Sequence, residues 1–264
     1  MTLRQKIKFW LYGSCPGFAG SFRYFGTRVF FTKRSRTFAA VCKQGIFEEN
    51  VVRILFALAK PETIIFDVGA NLGLMAIPVL AENDRVRVVS FEPSPTALKH
   101  LQRSHRESKF TDRWTVIPKA VGKAAGRAKF ALSDQKDDSL YDGLRPTRRV
   151  NVVSEIEVEI TTLDETWKSF GSPPVSLIKC DVEGAELDVF HGAGECIKTH
   201  RPPILTEWNA KNLAAYDCPP ESLFQFTEQN NYDLYSLPQL VRVENPRHLE
   251  LMMNFVENFV LLPI

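Results

Sequence analysis

The stretch TIIFDVGANLG, residues 63–73, decides the fold. Residues 63–66 form an apolar, β-branched run ending in Asp67, the composition of a strand buried on both faces of a parallel sheet. Residues 69–73 read as a tight turn, and 72–81 as a helix that Pro78 must either kink or shorten. Strand, turn and helix together make the repeating unit of an α/β sheet.

The alternation continues outward in both directions. Upstream, Val51, Ile54, Leu55 and Leu58 recur at helical spacing across 45–60, stopped by Pro61. Downstream, strands are predicted at 86–91, 114–117, 128–132, 154–160, 175–180, 204–208, 232–237 and 258–263. Helices are predicted at 94–107 (Ser94 as N-cap, Pro95 first), 185–198 and 220–230. Residues 133–149 are polar, of mixed charge, and read as a surface loop. The pattern is that of a doubly wound α/β sheet, whose ligands lie beyond the carboxyl ends of the strands.

The 264 residues, 44% hydrophobic and 24% charged, suit one large domain or a domain with an appendage. They exclude a disordered chain. The net charge of +2 hides an asymmetry: residues 1–47 hold nine Lys or Arg and no acid, leaving the rest at −7. That segment also carries Phe9, Trp10, Tyr12, Phe18, Phe22, Tyr24, Phe25, Phe30, Phe31, Phe38 and Phe47. The chain therefore divides into a basic aromatic cap, 1–47, and a main domain, 48–264. The cap either packs its aromatics on the main domain or touches an anionic membrane surface. A pI near 8.2 falls short of a nucleic-acid binder's footprint, so no nucleic acid is expected. No window approaches ~20 apolar residues, and no secretory h-region follows Arg4, Lys6 and Lys8. A cytoplasmic protein is expected, with peripheral contact at a membrane's inner face as the alternative. The five cysteines are odd in number and lack zinc spacing, so they read as reduced thiols. Nothing in the sequence sets an oligomeric state.

The residues just past each strand carry the chemistry. Gly69 lets the turn bend, and Gly73 lets the helix approach the strand. Glu92 follows the second strand, 19 positions after Gly73, where an acid can accept from a ribose diol. The glycines follow G-x-x-x-G, not the dinucleotide G-x-G-x-x-G. Asp67 at the loop's entrance would repel a diphosphate but suits the ammonium of an amino acid. A ligand with a ribose at one end and an amino acid at the other is S-adenosylmethionine. A tight βα turn without a ligand is the plainer reading of the glycines alone.

The strings IIFDVGANLG, FEPSPTAL, LIKCDVEGAELDVFHGA and PPILTEW resemble the FkbM family of S-adenosylmethionine-dependent methyltransferases over residues 64–237. The resemblance implies a class I methyltransferase fold: a mostly parallel seven-stranded sheet whose last strand is antiparallel. It implies methyl transfer to oxygen, on a sugar hydroxyl, a glycan or a secondary metabolite, so the partner is an acceptor with a free hydroxyl. It puts Asp67, Gly69, Asn71 and Gly73 in the cofactor loop, Glu92 at the ribose, Ala120 at the adenine and Asp181 near the methionine end. Asp181, Glu183 and Glu207 are the candidate catalytic carboxylates. Glu183 has a plainer reading as a cap of the following helix. Cys180 alternates with Lys179 and Asp181 and reads as core, and His191 reads as structural or surface. No metal is expected, although the three acids are all oxygen donors. The competing readings are an NAD- or nucleotide-sugar-dependent oxidoreductase, which lacks its glycine fingerprint, and a non-catalytic scaffold of the same fold.

Overall fold

The computed structural model describes residues 3, 6, 7, 10, 20–32, 35–133, 141–146 and 151–264. Phe9, Tyr12, Cys15, Phe18 and much of the predicted loop 133–149 lie outside the described residues.

Eight strands form the main sheet, in the order β12-β11-β13-β10-β9-β3-β4-β5. Its parallel centre is β3 (Ile64–Val68), β4 (Arg87–Phe91), β5 (Trp114–Ile117), β9 (Val175–Cys180) and β10 (Ile204–Glu207). β13 (Asn258–Pro263) runs antiparallel between β10 and β11 (Tyr232–Ser236). The seven-stranded expectation is corrected by one strand. Residues after β11 fold back as β12 (Val241–Arg242), a two-residue edge strand antiparallel to it. Two residues are too few to register as a strand in a sequence pattern.

Side chains alternate across the buried strands, so each face receives its own core. On β3, Ile65 joins one cluster while Ile64, Phe66 and Val68 join the other. The first cluster includes Val51 and Leu55 of α2 (Glu49–Leu58), Leu80 of α3 (Ala76–Glu82) and Leu101 of α4 (Pro95–Arg106). The second includes Trp167 of α5 (Leu163–Ser169), Val189 of α6 (Glu186–His191), Ile197 of α7 (Gly194–His200) and Phe226 of α9 (Ser222–Asn230). α8 (Ala210–Leu213) and α10 (Pro246–Met252) complete the helices.

The hairpin β1 (Gly20–Tyr24) and β2 (Thr27–Phe31) and the helix α1 (Arg36–Gln44) contribute to the first cluster. Phe31 stacks on Phe38 at 4.2 Å between centroids, and the Phe30 amide donates to Ser104 Oγ of α4 at 3.0 Å. A separate small sheet joins β6 (Ala120–Val121), β8 (Val152–Thr161) and β7 (Gly126–Ser133) around Ala120, Phe130 and Val158.

Two helices differ from their expected spans for local reasons. The helix after the glycine turn begins only at Ala76, so Pro78 sits in its first turn, where its missing N–H donor costs no intrahelical bond. The predicted helix 185–198 is divided into α6 and α7 around Gly192. A Cβ at Gly192 would collide with the Gly122 carbonyl, and Asp164 accepts from the amides of Glu195 and Cys196, starting a new helix there. Ser94 stands at the N-cap of α4 as expected, but its hydroxyl donates to Asp142 Oδ2 at 2.7 Å instead of capping.

Candidate active site

A cleft of about 260 Å³ opens at the carboxyl ends of β3, β4, β9 and β10. The turn after β3 forms its floor, with φ positive at Gly69 (77°), Asn71 (48°) and Gly73 (81°). A Cβ on Gly69 would strike the Asp181 carbonyl, so glycine is required by the approach of the β9 backbone. Gly73 is required for another reason: its Cβ would come within 2.8 Å of Leu101 and Trp114. It serves packing under α4 and does not line the cleft.

Asn71 and Glu92 are brought together. The Asn71 amide donates to Glu92 Oε2 at 2.7 Å, and the Ser94 amide donates to Oε1 at 2.8 Å. Two backbone amides thus fix a carboxylate that faces the cleft. Burial raises its pKa to about 7 despite those bonds. Ala120 lies on the same side with Phe130 and Leu144, an apolar wall beside Glu92.

Asp67 is not placed as the sequence suggested. It is 1% exposed, does not line the cleft, accepts from Ser90 Oγ at 3.1 Å, and pairs with Lys179 at 3.7 Å. Its position four residues into β3, one short of the strand's end, keeps it in the sheet. Burial raises its pKa.

On the other side, Asp181, Glu183 and Glu207 present carboxylate oxygens that all lie within 4.8 Å of one another. They come from three places: the end of β9, the following loop, and the end of β10. That proximity was not readable from their separation in the chain. Asp181 is partly exposed and lies 3.5 Å from the Lys179 ammonium. Glu183 sits at φ 58° and is 8% exposed. Glu207 accepts from Asn212 Nδ2 at 3.2 Å. Burial, then the charges of Asp181 and Glu183, push the Glu207 pKa well up.

Glu183 does not cap the following helix, which has no side-chain cap; Glu186, at its first position, instead fixes the turn before it. Glu186 Oε1 accepts from the amides of Val182 and Gly184, both at 3.1 Å, and leaves Glu183 directed to the cleft. Cys180 is fully buried, with its thiol pushed up by burial, as befits core, and His191 is exposed at the end of α6.

Sequence reading missed the roof. Tyr141, Asp142, Gly143 and Leu144, inside the predicted surface loop, line the cleft. Asp142 accepts from Ser94 Oγ and from the Ser133 amide and hydroxyl, each at 2.7 Å. The Arg145 amide donates to Tyr216 Oη at 3.1 Å. The only signal was the Asp142-Gly143 pair, which reads as a turn wherever it occurs. Glu48 and Glu257 also line the cleft from distant parts of the chain and were not singled out.

Residues 67–234 match the model of the methyltransferase FkbM domain. The chain belongs to the FkbM methyltransferase family. Among the relatives of this FkbM-family chain is the 2-O-methyltransferase NoeI of Sinorhizobium fredii. It is 29% identical over 200 residues, 71% of this chain and 81% of NoeI. The hexuronic acid methyltransferase AglP of Haloferax volcanii is 26% identical over 158 residues. That match covers 58% of this chain and 59% of AglP. A solved FkbM methyltransferase from Methylobacillus flagellatus superposes with a TM-score of 0.47 at 18% identity, covering 85% of this chain and 53% of that one.

Proposed function

We propose that this methyltransferase uses S-adenosylmethionine to methylate a hydroxyl oxygen of a sugar, glycan or small metabolite. The observation that carries this is the division of one cleft into two chemically distinct ends. At one end a carboxylate fixed by two amides, Glu92, adjoins the apolar wall of Ala120, Phe130 and Leu144. At the other stand Asp181, Glu183 and Glu207. The donor set fits the cofactor: an apolar wall for adenine, acceptors for a ribose diol, and acids beside the cationic methionine end. The name of AglP, a hexuronic acid methyltransferase, supports a sugar acceptor, and that of NoeI, a 2-O-methyltransferase, supports transfer to oxygen.

When bound, the cofactor supplies an electrophilic sulfonium methyl group. Glu92 accepts from the ribose hydroxyls, and Asn71 and Gly69 shape the turn on which the ligand rests. Ala120 leaves room for the base. Gly73 and Asp67 act from behind, by packing and through Lys179. Asp181 faces the methionine end. Glu183 and Glu207 orient the acceptor hydroxyl and receive its proton as the new bond forms. Burial and the charges of Asp181 and Glu183 raise the Glu207 carboxyl, which suits it to receiving a proton. Residues 48–264 carry the cofactor and acceptor groups named here, and the cap, 1–47, packs into the same core and reaches an anionic surface with its first residues.

Thermal melting with S-adenosylmethionine, S-adenosylhomocysteine and NAD tests the reading. Stabilisation by the first two is expected; stabilisation by NAD alone overturns it. Mass spectrometry of a sugar panel incubated with cofactor, with and without EDTA, identifies the acceptor and any metal requirement.

A further inference from the structure

A polar row crosses the apolar face of the sheet. Ser90 on β4, Asp67 on β3 and Lys179 on β9 are lateral neighbours in register, and all are buried. Trp114 Nε1 donates to Ser90 Oγ at 3.0 Å, Ser90 donates to Asp67 Oδ2 at 3.1 Å, and Lys179 Nζ lies 3.7 Å from Asp67 Oδ1. The row then reaches the cleft twice. Lys179 Nζ donates to the Gly69 carbonyl at 3.0 Å and lies 3.5 Å from Asp181 Oδ2.

A buried ammonium is costly, and an apolar side chain of similar size is often as stable in its place. Its presence here calls for a use that an apolar residue lacks. An ammonium has three donors, and three acceptors surround this one: a turn carbonyl, a strand-end carboxylate and a carboxylate behind both. The two in front belong to different loops, the glycine turn after β3 and the segment after β9.

We propose that Lys179 is a positioning residue that holds the Gly69 carbonyl and Asp181 in one geometry, and so shapes the amino-acid end of the cofactor site. Asp67 is its anchor: it lies 3.7 Å behind the ammonium and keeps it between the two loops, in reach of both the Gly69 carbonyl and Asp181. The inference rests on the S-adenosylmethionine reading. Glu92 lies on the β4 side of the glycine turn and Asp181 on the β9 side, so a ligand with its ribose at Glu92 lays its amino acid over Lys179. A purely structural ion pair would affect all ligands alike. A positioning role affects only those with an amino-acid end.

Calorimetric titration of the full chain with S-adenosylhomocysteine and with 5′-methylthioadenosine, which lacks the amino acid, separates the two. The variant is Asp67→Asn/Lys179→Met, which removes both buried charges together. It is expected to lose S-adenosylhomocysteine affinity at least tenfold and to keep 5′-methylthioadenosine within about twofold. Asp67→Asn alone, which leaves Lys179 its two front partners, is expected to lose less than the double variant. Unchanged affinity for both ligands, or equal loss of both, overturns the proposal. Should the double variant not fold, Lys179→Gln, which keeps a donor for Gly69 without the charge, gives the same comparison. Wild-type protein that binds neither ligand overturns the cofactor reading itself.

Discussion

Gly69 shows what a single residue decides in this molecule. Its missing side chain is the space through which the β9 backbone passes, and its carbonyl is held by Lys179. Gly69→Ala must therefore displace the Asp181 loop as well as strain φ. We expect a loss of several kcal/mol in stability, measured by urea unfolding, since a backbone collision has no flexible side chain to yield. The sequence showed that glycine was needed at 69 and 73, yet not why: one meets a neighbouring strand and the other a tryptophan, both distant in the chain. Asp67 was legible as an acid at a strand end, but one position inside the strand turned it from ligand contact to buried anchor. Glu186 was not legible at all, because its role depends on a turn that curls back over it. That turn makes pH informative. The Glu186 carboxyl is raised from 4.5 to about 7, chiefly by burial, so the fold favours its protonated form. Its stabilising contribution is then full below about pH 4.5 and falls as pH rises through 7, by about 3 kcal/mol for this group. Glu186→Gln keeps an acceptor for the two amides without a charge. Its melting temperature is expected to decline less between pH 5 and 8 than that of the wild type.

At the scale of elements, the central strands were readable because burial on both faces leaves continuous apolar runs, as at 64–68 and 175–180. The segment 141–146 was not readable, because a roof over a cleft carries the polar composition of any loop. Its hold is tertiary. Asp142 ties it to Ser94 at the head of α4 and to Ser133 at the end of β7. Arg145 ties it to Tyr216 and to the Ala215 carbonyl on the opposite side. Gly143 lies over Glu183, with room for a Cβ 3.6 Å from that residue's own. Asp142→Ala removes three hydrogen bonds to a carboxylate at one end only. Such bonds are worth about 1.5–3 kcal/mol each when buried, less for this part-exposed group. Since the roof also bears Leu144 of the apolar wall, we expect a several-fold weaker affinity for S-adenosylmethionine with little change in melting temperature. Equal losses in Ala and Asn variants would attribute the effect to the charge; Asn holding near wild type would attribute it to the bonds.

The whole molecule settles part of the charge asymmetry between residues 1–47 and the rest. Within the basic segment, the described residues 20–32 and 35–47 are woven into the core: Phe22, Val29, Phe31, Phe38 and Val41 share a cluster with Leu72, Leu101 and Trp114. Arg103 of α4 lies 3.8 Å over the Phe30 ring. Packing thus accounts for most of the aromatics there, and removing the hairpin would strip one face of the sheet. The earliest residues differ. Leu3, Ile7 and Trp10 are 74%, 48% and 67% exposed, at the i, i+4, i+7 spacing that places them on one side of a helix, and Arg4, Lys6 and Lys8 accompany them. No helix among the described residues is long and apolar enough to cross a membrane. Apolar side chains flanked by cations suit the surface of an anionic bilayer, the apolar part entering the headgroup boundary. Two truncations separate core from surface. Removing residues 1–37 is expected to abolish cooperative unfolding and with it cofactor binding, because buried Phe22, Phe31 and their neighbours leave together. Removing only 1–19 is expected to preserve both melting temperature and S-adenosylmethionine affinity. Flotation with vesicles of phosphatidylcholine, with and without phosphatidylserine, then tests the surface reading. The full chain should float with the anionic vesicles and the 1–19 truncation should not; equal flotation of the two would assign no membrane contact to this segment.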